Sequence, residues 1–318
     1  MATTAAIVGP GRIGRQHAKW LAAAGCELIG FVCGSPANAA QRSAELAEVT
    51  GQTVPAYGSL PELLSAVTPD LATVCTPAEQ HAAPALLLLD QGIPTLIEKP
   101  LTWAADLGVA LAEAEAIAAL ADERGVPCGV NLQYALAAEP YASLVGPQPT
   151  PERVSVTLES RGRGAERSPA EVWMELGPHA VSLALALVPR AEVVADSLSV
   201  STAPRTARVA CRLRAPHGLV EASIEVGQRL EGDLVRRFGV DDALVDYAGR
   251  NDSRGRYRCF LSREGVEQES VDWVERSLRG FAAAVQSGAS ESLLPVAHGL
   301  ANLRTVVQVA RWLEPNRG

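Results

Sequence analysis

Along the first part of the chain, short apolar runs alternate with longer stretches in which apolar residues recur at helical spacing. This pattern predicts strands at 4–9, 27–33, 71–75 and 95–97, with helices at 15–24, 38–49, 60–66, 82–91 and 104–124. Gly125 reads as the C-cap of the last of these helices, and Pro127 stands just past it, where a helix cannot continue. Strands alternating with helices predict a parallel sheet covered on both faces.

Beyond Pro127 the period changes from helical to residue-by-residue alternation at 153–159, 193–201, 206–213 and 219–226, the mark of a mainly antiparallel sheet with one buried face. The Pro-rich stretch 146–151 reads as a connecting loop, and helical patterns at 273–286 and 296–313 end the chain. At 318 residues the chain exceeds what one core usually supports. The reading is therefore an α/β domain over 1–125 and an α+β domain with an open sheet over 126–318.

Composition narrows the class of function. With 47% hydrophobic and 20% charged residues the chain is ordinary for a globular protein, and no apolar run reaches the roughly 20 residues that span a bilayer. The N-terminus enters the first strand with no basic segment ahead of an apolar one, so a cytoplasmic protein is expected. A net charge of −8 argues against nucleic acid as the main partner. The six cysteines form no CxxC pair and the five histidines no HExxH, so reduced, buried thiols and no metal site are expected. Only two of the 28 basic residues are lysines, Lys19 and Lys99. In a chain so biased to arginine, a retained lysine points to chemistry that needs a proton to move.

Gly9-Pro10-Gly11-Arg12-Ile13-Gly14 is a GxGxxG between a strand and a helix. There the first glycine allows the tight turn, the second admits a pyrophosphate, and the third lets helix and strand pack. A dinucleotide-binding, Rossmann-type α/β domain is expected. The end of the second predicted strand, Phe31-Val32-Cys33-Gly34-Ser35-Pro36, lacks the carboxylate that binds the ribose 2′-hydroxyl of NAD. Ser35, with Arg12 or Arg42, suits a 2′-phosphate instead, so NADP is expected ahead of NAD.

Thr76-Pro77 with His81 follows one predicted strand, Glu98-Lys99-Pro100-Leu101 another, and Glu175-Leu176-Gly177-Pro178-His179 comes later. With the GxGxxG, these segments make the chain resemble the Gfo/Idh/MocA family of oxidoreductases across both domains. The resemblance implies a cofactor site drawing on Gly9, Gly11, Arg12, Ile13, Gly14, Ser35, Arg42, Thr76, Pro77, His81, Glu98 and Lys99. It implies Lys99 and His179 on either side of a reacting hydroxyl, with Glu175 beside them, and sugars, cyclitols or their nucleotide-linked forms as substrates. It also implies a homodimer or homotetramer formed through the open sheet.

The residues support that reading independently. Ligands of open α/β sheets sit outside the carboxyl ends of the strands, where Thr76 and Lys99 emerge. Gly177-Pro178 predicts a helix start at His179, so a helix dipole and the Glu175 carboxylate act on the imidazole in opposite directions, as suits a general base. Trp103, Tyr134 and Trp173 lie next to these motifs and read as core or ring platforms; Arg161, Arg163 and Arg167 read as a solvated loop or an anion site. Three departures from the family pattern touch the substrate more than the reaction: Glu175 and Ser182 where aspartates are common, and no arginine near Gln133. An imine or ketone reductase, and a cofactor-binding regulatory protein without catalysis, remain alternatives.

Overall fold

The computed structural model describes residues 2–162, 166–288 and 294–313. Arg163 lies outside them. The chain divides into two compact units, 1–131 with 274–300 and 132–273 with 301–318.

The first unit runs β1 (Thr4–Val8), α1 (Arg12–Ala23), β2 (Glu27–Val32), α2 (Pro36–Thr50), β3 (Ala56–Tyr57), α3 (Leu60–Ala66), β4 (Leu71–Val74), α4 (Ala82–Asp90), β5 (Thr95–Ile97), α5 (Leu107–Arg124) and β6 (Cys128–Val130). Its six strands lie in the order β3-β2-β1-β4-β5-β6, all parallel. The order reverses between β1 and β4, which opens a crevice at their carboxyl ends. β4 and β5 are buried along their whole length, as expected for strands covered on both faces. The expected α5 cap is present: Gly125 has φ +62° and closes the helix in the left-handed conformation.

Two features shift the boundary from the expected 125/126. Cys128–Val130 forms a sixth strand on β5, too short and apolar to be distinguished from a loop by pattern. Helix α8 (Trp273–Ser287), far along the chain, returns to this unit. Its Leu278, Phe281 and Ala282 pack with Ala18 and Leu21 of α1, Leu28 and Phe31 of β2, and Leu46 of α2.

The second unit begins with α6 (Ala138–Val145), β7 (Arg153–Arg161), α7 (Pro169–Leu187), β8 (Glu192–Val193) and β9 (Ser199–Ala203). It continues through β10 (Thr206–Ala215), β11 (Gly218–Arg229), β12 (Arg236–Val240), β13 (Ala243–Asn251), β14 (Tyr257–Arg263) and β15 (Val266–Val271). Helix α9 (Val296–Leu313) ends the described chain, its residues from Ala301 onward belonging here. The nine strands form one sheet, β15-β14-β13-β12-β7-β11-β10-β8 with β9 beside β10, antiparallel throughout except where β7 pairs with β11. The expected strand at 193–201 is two, β8 and β9, separated by a turn at 195–197.

Along β10 and β11 buried and exposed positions alternate. The buried set, including Val209, Leu213, Ile224 and Val226, faces α7, which packs across β7, β10 and β11. The opposite face carries cross-strand ion pairs, Arg208 with Glu225 and Arg237 with Asp246. Among the described residues no helix is long and apolar enough to cross a membrane.

Candidate active site

The turn after β1 is built from three glycines with different duties. Gly9 has φ +90° and its N–H donates to the Val32 carbonyl at 3.1 Å. A Cβ on Gly9 would lie 2.7 Å from the Thr76 nitrogen, and one on Gly14 2.2 Å from the Gly9 carbonyl oxygen. Both positions are therefore glycine because β1, β4 and α1 press together there. At Gly11 a Cβ would meet nothing within 4 Å. The protein itself does not require that glycine. Gly11 is also the N-cap of α1 and supplies no side-chain cap, so the first-turn N–H groups have no partner within the helix and sit at the positive end of its dipole. An open approach to such a terminus fits a pyrophosphate. Arg12 is exposed at the first helical position, with Ile13 half-buried behind it.

At the end of β2, Ser35 is the N-cap of α2 and makes no cap hydrogen bond with its side chain. Arg42, two turns on, donates to Glu45 at 2.6 Å, and Arg15 of α1 lies 3.4 Å from the same carboxylate. The Arg42 hydrogen bond holds the Glu45 carboxyl below its ordinary range. Arg42 therefore reaches an incoming phosphate only in competition with Glu45.

Thr76 and Pro77 leave β4 at the crevice, Thr76 half-buried and Pro77 exposed. His81 is 1% exposed; its Nε2 lies 2.8 Å from the Thr76 carbonyl and its Nδ1 3.0 Å from that of Pro100. It thereby ties the segment after β4 to the segment after β5. Lys99 is the second residue past β5, joined to Pro100 by a cis peptide bond. Burial lowers its pKa from the ordinary lysine value, and the adjacent Glu98 opposes that fall. A lysine so placed gives up its proton more readily than one in water.

Next to Lys99 lies a cluster of which motif reading named only Glu98. Glu98 is 7% exposed, and its Oε1 receives His17 Nε2 at 2.8 Å and Asn131 Nδ2 at 2.5 Å. Its Oε2 accepts the Lys99 backbone N–H at 3.2 Å. The other ring nitrogen of His17, Nδ1, is 3.2 Å from Cys75 Sγ. Burial alone would lower the pKa of His17, but Cys75 and Glu98 together outweigh it and hold the imidazole up at about 10. Burial likewise opposes ionisation of Glu98, yet the contacts from His17 and Asn131 keep its carboxyl below the usual range. The available signal was a histidine three residues past the last motif glycine, on the buried face of α1, and a polar residue at the end of a strand.

In the second unit the expected helix start at His179 is corrected. His179 lies well inside α7, which begins at Pro169 and is N-capped by Ser168 in a full capping box with Glu171. Gly177 is not a terminus: a Cβ there would fall 2.7 Å from the Trp173 indole, which lies against the backbone one turn earlier. Pro178 is accommodated inside the helix, and its carbonyl accepts Asn302 Nδ2 at 2.7 Å. No helix N-terminus acts on His179. The imidazole is buried against the Tyr134 ring, centroids 4.8 Å apart, and Tyr134 in turn meets Tyr247 and Trp273 edge-on.

Glu175, one turn before His179, is partly exposed and forms an ion pair with Arg167. Arg167 thus belongs to that pair, and Arg161, the last residue of β7, donates to the Gly232 carbonyl at 2.6 Å. Trp173 is core, with Nε1 donating to the Val306 carbonyl at 3.1 Å, while Trp103 is half-buried in the first unit. Ser182 donates to the Leu132 carbonyl at 3.4 Å. Lys99 belongs to the first unit and His179 to the second. Among the described residues no group of His, Cys, Asp or Glu is arranged to hold a metal ion.

Residues 3–132 match the model of a family described as oxidoreductase family, NAD-binding Rossmann fold. Over 130 residues the chain is 35% identical to the myo-inositol dehydrogenase Hyg17 of Streptomyces leeuwenhoekii, a match spanning 41% of this chain and 36% of that protein. Across both units the fold is similar to that of UDP-N-acetylglucosamine 3-dehydrogenase GnnA from Acidithiobacillus ferrooxidans. That likeness has a TM-score of 0.73 and 21% identity, covering 97% of this chain and 96% of the other. It is also similar to a variant of KijD10, a 3-ketoreductase from Actinomadura kijaniata solved with TDP-benzene and NADP. There the TM-score is 0.62 at 18% identity, with 96% of each chain covered.

Proposed function

We propose, from the membership of residues 3–132 in the Gfo/Idh/MocA oxidoreductase family with its NAD-binding Rossmann fold, that this chain is a nicotinamide-dependent enzyme. It interconverts a secondary alcohol and a carbonyl on a sugar-like, cyclitol or related small molecule. The observation that carries the reading is Lys99: one of two lysines in the chain, two residues past the end of β5 on the carboxyl side of the sheet, with its proton loosened by burial. The dehydrogenase and ketoreductase names of the similar proteins agree with it.

The Gly9–Gly14 turn and the first turn of α1 hold the pyrophosphate, and the nicotinamide, when bound, supplies or accepts the hydride. Lys99 donates a hydrogen bond to the oxygen of the reacting carbon and stabilises the charge that develops on it. His179 takes the hydroxyl proton in oxidation and returns it in reduction. Glu175, tied to Arg167, contributes to the setting of His179 from one turn away on the same helix. Ser35 and Arg42 favour NADP over NAD.

Nicotinamide absorbance tests the reading, with NADP and NAD in turn against sugars, cyclitols, hydroxy acids and nucleotide sugars. Turnover that is abolished in Lys99→Ala, with cofactor affinity held within about tenfold, or ~1.4 kcal/mol, is the expected result. Near-normal turnover in that variant removes Lys99 from the chemistry. We further infer that the chain assembles as a homodimer or homotetramer through the open face of the nine-stranded sheet, which sedimentation equilibrium would decide.

A further inference from the structure

Four residues, of which only Glu98 belongs to a motif, meet at the carboxyl end of the parallel sheet: His17 from α1, Cys75 just past β4, Glu98 just past β5 and Asn131 just past β6. Each is fixed from its own strand or helix. The Cys75 N–H donates to the Val8 carbonyl at 2.7 Å, that of Glu98 to Val74 at 2.9 Å, and that of Asn131 to Ile97 at 2.7 Å. His17 is fully buried on α1, between the Cys75 sulfur and the Glu98 carboxylate. The cluster therefore joins the helix that opens at the cofactor turn to the residue beside Lys99.

The hydrogen-bond directions follow from the charges. Asn131 Oδ1 is buried without a hydrogen-bond partner, while Nδ2 reaches Glu98 Oε1. Exchanging the two amide atoms would aim an oxygen at a carboxylate, so Nδ2 is the donor. His17 Nε2 converges on the same carboxylate oxygen and donates as well. A buried carboxylate without such compensation costs several kcal/mol, and His17, Asn131 and the neighbouring Lys99 charge together keep Glu98 ionised.

We propose that His17 and Glu98 form a buried positioning pair that governs how readily Lys99 releases its proton: Glu98 holds the proton on, and His17 limits how strongly it does so. The charge acting on Lys99 from its own segment is Glu98, with His17 bonded behind it at 2.8 Å. Neither His17 nor Glu98 is thereby a catalytic residue. The inference rests on the reading of Lys99 as the proton-handling group, but it concerns the titration of Lys99 itself, which can be measured without a substrate.

With only two lysines in the chain, a protein carrying carbon-13 at lysine Cε gives two signals, Lys19 serving as an internal control. Titrated with NADP bound, Lys99 is expected to lose its proton below the ordinary lysine range. Glu98→Gln should lower the Lys99 midpoint further, by about one unit, the size of effect an opposite charge at close range has on a neighbour. His17→Gln should raise it, because Asn131, the Lys99 N–H and the Lys99 charge still hold Glu98 ionised and its charge then acts on Lys99 with no imidazolium to offset it. Midpoints that stay put in both folded variants, or that move in the same direction, overturn the proposal. If either variant fails to fold, nitrogen-15 spectra of the unmutated protein decide: an imidazolium at His17 at pH 8 supports the pair, and a neutral ring there overturns it. Absence of turnover on every substrate, with the opposite shifts present, would sink the proposed activity and leave the pair standing.

Discussion

A side chain on Gly14 would bring its Cβ to 2.2 Å from the carbonyl oxygen of Gly9, whereas one on Gly11 would meet no atom within 4 Å. Two glycines of one motif thus answer to different demands. Gly14→Ala is expected to destabilise the cofactor-free protein by about 3 kcal/mol or more, since the clash is with backbone that cannot rotate away. Gly11→Ala, with φ −71° already suited to any residue, should stay within about 1 kcal/mol of the parent while weakening dinucleotide binding at least about tenfold. Thermal unfolding without cofactor and a dinucleotide titration separate the two effects. A Gly11→Ala protein that binds as tightly as the parent would mean that no phosphate approaches there.

The capping box of α7 predicts a stability change with no cofactor phenotype. Ser168 accepts from the Glu171 N–H at 3.3 Å, and Glu171 Oε2 accepts the Ser168 N–H at 2.8 Å. Ser168→Ala should cost about 1 kcal/mol, a fall in Tm of roughly 2–4 °C in a unit of this size, with dinucleotide affinity unchanged. An unchanged Tm would show that the start of α7 is held by packing alone.

These two cases also mark what the sequence disclosed. The GxGxxG and Lys99 were legible because each carries its chemistry within a few residues, and the strand before each is short and apolar. His17 and Asn131, and the contacts that tie Glu98 to them, were not, because those contacts join residues 81 and 33 positions apart at the ends of separate elements. The start of α7 was misread because glycine followed by proline imitates a helix boundary. The reason for glycine at 177 is a ring at Trp173 that only the folded helix brings near. Strand β15, Val-Glu-Gln-Glu-Ser-Val, escaped because it has no apolar face to alternate, and its place at the sheet edge comes from pairing with β14.

The buried pair gives stability a pH dependence with a definite sign. His17 holds its proton up to about 10 in the folded protein, against an ordinary value of 6.5. Its contribution is complete below about 6.5, shrinks as pH rises through the interval, and is gone above about 10. Glu98, lowered by folding, contributes above the ordinary carboxylate range and loses that contribution as pH falls through its folded value. Tm measured from pH 6 to 11 should therefore decline on the alkaline side more steeply in the parent than in His17→Gln, groups common to both cancelling in the comparison. Parallel curves would mean that His17 is neutral when folded.

Cofactor preference turns on the competition for Arg42. Its guanidinium is partly exposed and bonded to Glu45 at 2.6 Å, while the stretch 31–36 at the end of β2 carries no carboxylate of its own. A phosphate with charge near −2 attracts arginine more strongly than one carboxylate does, but it must first draw Arg42 away from Glu45. Arg42→Ala should then weaken NADP binding about tenfold and leave NAD almost unchanged, since NAD carries no group there to lose. Glu45→Gln should act in the opposite direction, tightening NADP a few-fold by removing the competing charge while Arg15 and Arg42 remain. Calorimetric titration at constant ionic strength gives both affinities for each variant. Equal losses for NAD and NADP in Arg42→Ala would place Arg42 in the support of α2 and remove it from the reading of the phosphate.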